Sequence, residues 1–329
     1  MGRHGVSGTV RPRTVVIAMV AVVVLIAAAV GLSLFLKPRH PGAVELLEPS
    51  GDTPITFAGV FPAGEDEPLT NPLGIAYDGE YLYVAESDAG AIRVFDANGG
   101  RVGTIGLPVA EGQRVAYPSV IAVADEVLAV VDNAGSRVLL LGPEPADTAT
   151  ILAVLGEEGV PPLQPTAVTY SGGEFLVADA GDNTVKAYDT DGVHLRTLEP
   201  DSISGERGLT ALSVVDGVIY AVGSSSGSVH ALDLETGSAL RQAAGEYPMP
   251  RTVEPVGGDM LAVVDGLERS VLFVDTDGKE IAVVDNGTVL DVSLSSPRGA
   301  AWLAGDERLY VTDAGSGRVF VFNVAAGRL

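Results

Sequence analysis

The chain has 329 residues, 41 of them glycine and 20 proline, with 5% aromatic and no cysteine. The lack of thiols excludes disulfides, thiolate nucleophiles, cysteine-bound zinc or iron–sulfur, and covalent c-type haem attachment. Five of the 20 basic residues precede residue 40 and the first acid is Glu45, so the remainder carries 15 basic against 43 acidic side chains. Such a surface repels phosphate backbones and excludes nucleic acid as a partner.

In chain order, residues 1–13 hold Arg3, Arg11 and Arg13 and form a short tail. Thr14 to Leu36 then runs 23 residues without a charge. At ~1.5 Å per residue a helix of that length reaches about 34 Å, enough to cross a hydrocarbon core of about 30 Å. It shows no polar face, as a soluble helix would. A cleaved signal peptide would have a shorter apolar region and a small-residue cleavage site, and Ser33-Leu34-Phe35-Leu36-Lys37-Pro38 offers none. Residues 14–36 are therefore expected to be an uncleaved transmembrane helix. The heavier positive flank precedes it, which keeps the N-terminus cytoplasmic and the C-terminal part outside. Residues 37–53, with Pro38, Pro41 and Pro49, are expected to be a linker.

From residue 54 the sequence repeats. Val84-Ala85-Glu86, Val130-Val131-Asp132, Val177-Ala178-Asp179, Ala221-Val222-Gly223, Val263-Val264-Asp265 and Val311-Thr312-Asp313 superimpose at intervals of 42–48 residues. Short aliphatic strands at a period of about 40–50 residues predict a β-propeller, here all-β and six-bladed over residues 54–329. Each unit reads as four strands, in the first unit around Gly74-Ile75-Ala76, Tyr81–Ala85, Ala91–Phe95 and Arg101–Ile105. Asp96-Ala97-Asn98-Gly99, Asp189-Thr190-Asp191-Gly192 and Asp275-Thr276-Asp277-Gly278 supply the turns before the outer strands. The last unit stops after its third strand. Ile55-Thr56-Phe57-Ala58-Gly59 matches an outer strand and is expected to complete it, tying the ring shut. The linker then enters on one face, and the long connections lie on the other, pointing away from the membrane.

Pro72-Leu73-Gly74-Ile75-Ala76, then Tyr83-Val84-Ala85-Glu86, then Ile92-Arg93-Val94-Phe95-Asp96 and Gly99 resemble the NHL repeat. The third and sixth units agree; the fourth departs, with Gly223 in place of the acid and Leu209 in place of proline, and the fifth is degenerate at its inner strand. The resemblance covers residues 54–327. It implies a binding role: a membrane-tethered extracytoplasmic scaffold or sensor for a protein, peptide or cell-envelope ligand on the face turned away from the bilayer. The alternative it implies is a propeller hydrolase or lyase with a site in the channel. Lactonase-type relatives hold a divalent metal with Glu, Asp and Asn from inner strands, and amidating-lyase relatives use channel histidines. The inner strands here read Ile75-Ala76, Ile121-Ala122-Val123, Ala167-Val168, Leu212-Ser213-Val214, Val253 and Ala300-Ala301, without such ligands. No cofactor, metal or catalytic residue is expected.

Two sets of residues stand out chemically. The repeated acids Glu86, Asp132, Asp179, Asp265 and Asp313 each lie six residues before the first core aliphatic of a third strand. A short carboxylate there accepts backbone N–H bonds and fixes a turn; two of them converging on a cation is the other reading. Arg251 and Arg298 each follow a proline at the start of an inner strand, where the other units have Leu73, Ser119, Thr166 and Thr210. Paired guanidinium groups suit a carboxylate or phosphate, and Arg114 and Arg207 lie in neighbouring connections. Pairing with the surplus acids is the alternative role for these four. Gly223-Ser224-Ser225-Ser226-Gly227 matches a nucleophile pattern but falls in a strand-to-strand turn rather than a strand–turn–helix. His4, His40, His194 and His230 have no zinc spacing, and the loop opened by Asp189 has Pro200 where a calcium loop needs its bidentate acid.

Overall fold

Hairpin turns of a few residues make each strand pair with its successor, so every repeat builds its own antiparallel sheet before it meets another. The computed structural model describes Leu46 and residues 54–325, apart from 64–66, 125, 158–159, 163, 201–207, 224, 245–246, 258 and 287–292. Among the described residues 24 strands form six four-stranded sheets. After β1 (Ile55–Phe61), blade one is β2 (Pro72–Tyr77), β3 (Tyr81–Glu86), β4 (Ala91–Asp96) and β5 (Arg101–Gly106). Blade two is β6 (Pro118–Ala124), β7 (Val127–Asp132), β8 (Arg137–Leu141) and β9 (Ile151–Val154). Blade three is β10 (Pro165–Ser171), β11 (Glu174–Asp179), β12 (Thr184–Tyr188) and β13 (His194–Leu198). Blade four is β14 (Leu209–Val215), β15 (Val218–Gly223), β16 (Val229–Asp233) and β17 (Ala239–Ala244). Blade five is β18 (Pro250–Pro255), β19 (Met260–Asp265), β20 (Ser270–Asp275) and β21 (Glu280–Val284). Blade six has β22 (Pro297–Leu303), β23 (Arg308–Asp313) and β24 (Arg318–Val324).

The fourth strand of blade six is β1, which pairs antiparallel with β24 from Ile55↔Val324 to Phe61↔Val319. The two ends of the described chain thus share one sheet, and the ring closes without an unpaired seam. Phe61 seals it. Its ring is fully buried, 5.0 Å from that of Phe95 in blade one and 6.3 Å from that of Tyr310 in blade six. Tyr310 Oη donates to Ala97 O across the same junction at 2.7 Å.

The core lies between blades rather than within them. Six clusters of buried side chains each join neighbouring sheets: Val130, Leu139 and Ile121 of blade two meet Ile92, Val94 and Ile105 of blade one, and Phe273 and Val264 of blade five meet Phe320 and Phe322 of blade six. Both faces of a middle strand are therefore dry, so β19 reads as the unbroken run Met-Leu-Ala-Val-Val-Asp, buried throughout. At the channel the inner strands approach closely. A Cβ on Gly74 would stand 2.7 Å from Ser119 O, and one on Gly299 2.6 Å from Leu73 O.

The expected turns form as hydrogen-bonded hairpins. Asp96 Oδ1 accepts from Asn98 N at 2.8 Å and Gly100 N at 2.9 Å, while Gly99 takes the positive φ of 76° that a side chain would resist. Residues 1–45 lie outside the described residues, and with them the expected tail, the 14–36 span and most of the linker. Among the described residues no helix is long and apolar enough to cross a membrane. Leu46, within the expected linker, is buried in the cluster that joins blades six and one, against Gly59 of β1.

Candidate functional site in the central channel

The six inner strands surround a cavity of ≈ 630 Å³. Its wall follows from the repeat: the second residue of each inner strand faces it, giving a ring of Leu73, Ser119, Thr166, Thr210, Arg251 and Arg298. The hydroxyls in this ring already have backbone acceptors. Thr166 Oγ1 donates to Leu209 O at 2.5 Å, and Ser119 Oγ reaches Val131 O at 3.4 Å.

The two arginines differ from the rest of the ring. They stand side by side on β18 and β22. The Nε of each is buried without a hydrogen-bond partner, and neither makes an ion pair with a carboxylate of the described residues. Arg251 Nη2 finds only the thioether Sδ of Met249, at 2.9 Å. Burial lowers the Arg251 pKa from its ordinary value, and the Arg298 charge adds to the drop, while Asp265 opposes it. Two adjacent guanidinium groups lining a cavity are of a kind that can hold a carboxylate or phosphate. Arg114, by contrast, is exposed on the connection between β5 and β6 and does not line the channel. Arg207 lies outside the described residues.

The repeated acids are not among the residues lining this cavity, and they bind backbone. Glu86 Oε1 accepts from Thr70 N at 2.9 Å, Asp132 Oδ1 from Tyr117 N at 2.9 Å, Asp179 Oδ1 from Gln164 N at 2.8 Å, and Asp265 Oδ2 from Met249 N at 3.0 Å. Asp313 Oδ2 accepts from Ser295 N at 2.6 Å and Ser296 N at 3.0 Å. In each case the acid at the end of a second strand holds the segment leading into the inner strand of its own blade. Three also hold a cation from the third strand: Arg93 on Glu86, Arg137 on Asp132, and Lys186 on Asp179. Lys186 is only 2% exposed and lies between Asp179 and Asp182.

One residue corrects the sequence reading. The inner strands were expected to carry no acid, yet Glu254, fifth in β18, lines the channel. Strand pairing exposes the anomaly. Glu254 pairs with Ala262, and the same register elsewhere holds Ala76, Ala122, Thr169, Ser213 and Ala301. Five small residues and one acid share a position. The degeneracy of the fifth unit in the sequence was this substitution, legible only once the strands are in register. Glu254 Oε1 accepts from Trp302 N of blade six at 3.1 Å. Protein surrounds it while the lumen leaves part of it open; the burial pushes its carboxyl up to about 8, and the Trp302 hydrogen bond only partly offsets that. No charged neighbour contributes to the shift. Among the described residues no three His, Asp or Glu side chains converge as a metal would need.

No protein-family model matches the chain, and no curated protein matches it in sequence. Solved structures do. The WD40 β-propeller domain of Doa1 superimposes with a TM-score of 0.56 at 14% identity, over 83% of this chain and 98% of that one. Hydrazine synthase of Kuenenia stuttgartiensis gives a TM-score of 0.53 at 18% identity, over 78% of this chain and 77% of that one. At such identities the likeness is one of fold: this chain is a β-propeller, with the six blades described above.

Proposed function

We propose that this protein is a binding propeller, displayed outside the cytoplasm by the apolar run 14–36, whose channel receives an anionic ligand at Arg251 and Arg298. The observation that carries the reading is the pair of unpartnered, buried Nε atoms on adjacent inner strands, facing the cavity. Buried donors in folded proteins are almost always bonded, so two adjacent exceptions point to an absent acceptor. The scaffold or sensor role rests on the NHL-like repeat pattern, and the tether on the length and flanking charges of residues 14–36. By strand register, Thr56 of β1 lies level with Asn323, Arg308 and Leu303, at the end of blade six opposite Arg298. β1 begins at that end. The hydrolase or lyase alternative needs a nucleophile or ligand set in the channel, and the lining offers one acid.

The test is calorimetric titration of succinate and inorganic phosphate into the full-length chain. Arg251→Gln and Arg298→Gln should each weaken binding by about ten-fold, the worth of one charge-assisted hydrogen bond. Unchanged affinity in both variants, or no binding of either anion to the parent, refutes the reading.

A further inference from the structure

We propose that the channel ligand is an elongated zwitterion, a peptide of about three residues with free termini, its carboxylate on Arg251 and Arg298 and its ammonium on Glu254. The inference rests on the anion site proposed above and adds the second anchor. Glu254 stands three residues beyond Arg251 on β18. At ~3.4 Å per strand residue the two are separated by about 10 Å along the channel wall. Among the described residues no ion pair joins them, and neither charge acts on the other. The arginines keep unpaired donors at one end, and the acid has no cation at the other. The arginine end calls for an anion, and the acid at the other end can answer a cation.

An extended peptide covers about 3.3–3.6 Å per residue, so three residues bridge the two sites. The cavity of ≈ 630 Å³ falls within the usual range for a ligand that is largely enclosed. The remaining wall suits a backbone rather than a bulky side chain, because Ala76, Ala122 and Ala301 share the register of Glu254.

The other ionisable residues lining the cavity are Tyr77, Tyr170, Arg251 and Arg298. None of these is a carboxylic acid, so among the described residues lining the cavity Glu254 alone offers a carboxylate to an ammonium. In the empty channel its carboxyl is held protonated by burial. An arriving ammonium stabilises the carboxylate, and the carboxyl proton leaves to solvent. Binding therefore releases up to one proton near pH 7, and affinity rises with pH up to about 8, where the peptide's own terminal ammonium begins to lose its proton, and falls beyond it.

The experiment uses triglycine, N-acetyltriglycine and triglycinamide with the full-length chain and with E254Q, whose amide keeps the shape and can still accept from Trp302 N. Triglycine should bind about ten-fold more tightly than N-acetyltriglycine, the scale of one charge-assisted hydrogen bond. E254Q should abolish that preference. Titration in buffers of different ionisation enthalpy should show proton release with triglycine and none with N-acetyltriglycine. Equal affinity for the two peptides, or a preference that survives E254Q, overturns the inference. If triglycine and N-acetyltriglycine bind with equal affinity and triglycinamide does not bind, the anion site stands while the ammonium site falls. If none of the three binds and the simple anions also fail, both readings fall together.

Discussion

Glu254 makes the empty channel sensitive to alkali, and the sign can be worked out from its carboxyl. Folding raises the pKa from an ordinary 4.5 to about 8. Between those values the native state holds a proton that the unfolded chain has released. The contribution of Glu254 to stability is therefore fully present below about pH 4.5 and is lost as pH climbs through 8. At ~1.4 kcal/mol per pH unit the full shift corresponds to about 5 kcal/mol, an upper bound because lumen water solvates part of the carboxylate. Glu254→Gln stays neutral throughout and keeps an oxygen for Trp302 N. The variant should lie within about 1 kcal/mol of the parent at pH 5 and exceed it by at least about 2 kcal/mol at pH 9, the larger part of the gain appearing between pH 6 and 8. Urea unfolding followed by circular dichroism at pH 5, 7 and 9 measures both proteins. Acid residues elsewhere titrate equally in the two, so the difference isolates this carboxyl. A gap independent of pH, or one that widens towards acid, would refute the argument.

Three further predictions concern the frame around the channel. Phe61→Ala should cost about 3–5 kcal/mol, since it empties a fully buried junction, and a chain beginning at Asn71 should melt well below one beginning at Gly51; equal melting temperatures would mean that β1 does not close the ring. Gly299→Ala places a methyl 2.6 Å from Leu73 O on the neighbouring inner strand and should lower stability by about 1–3 kcal/mol, read from the urea midpoint. Asp179→Asn leaves Lys186 buried with Asp182 as its remaining charged partner and should cost about 3–5 kcal/mol, while Lys186→Met in the same background should recover much of it. A double-mutant cycle on that pair with no coupling would show that the acid acts only through its backbone hydrogen bonds.

The fold was legible because the repeat makes the same statement several times. Val84, Val130, Val177, Val263 and Val311 occupy one position of the second strand, and each is buried on both faces. Even the unequal end was readable, because Ile55–Gly59 has an outer-strand pattern and the last unit lacks one. The turn aspartates were visible for the same reason: a short acid before Gly99, Gly192 and Gly278 has a local role that needs no tertiary information. What sequence could not supply was partnership. Whether Arg251 and Arg298 would be neutralised by the surplus of acids is a question of distance: Glu86, Asp132 and Asp179 hold cations of their own blades, and Asp265, whose charge reaches Arg251, forms no ion pair with it among the described residues.

Glu254 explains why a degenerate repeat deserves closer reading than a faithful one. Residues that build a symmetric ring must recur, since each blade meets the same neighbours; a site on the axis of that ring has no such requirement and is better served by breaking the pattern. Blades one to three keep Leu73, Ser119 and Thr166 at the mouth, and their Ala76, Ala122 and Thr169 deeper in are equally bland. Blade five alone departs at both levels, with Arg251 and Glu254, and blade six departs at one, with Arg298. The broken positions fall on adjacent blades and face one cavity. Random drift in a structural repeat would scatter them around the ring and would be penalised for burying charge without a partner. Three ionisable side chains gathered on one side of the channel, which the ring itself does not need, are what the proposed binding site would use.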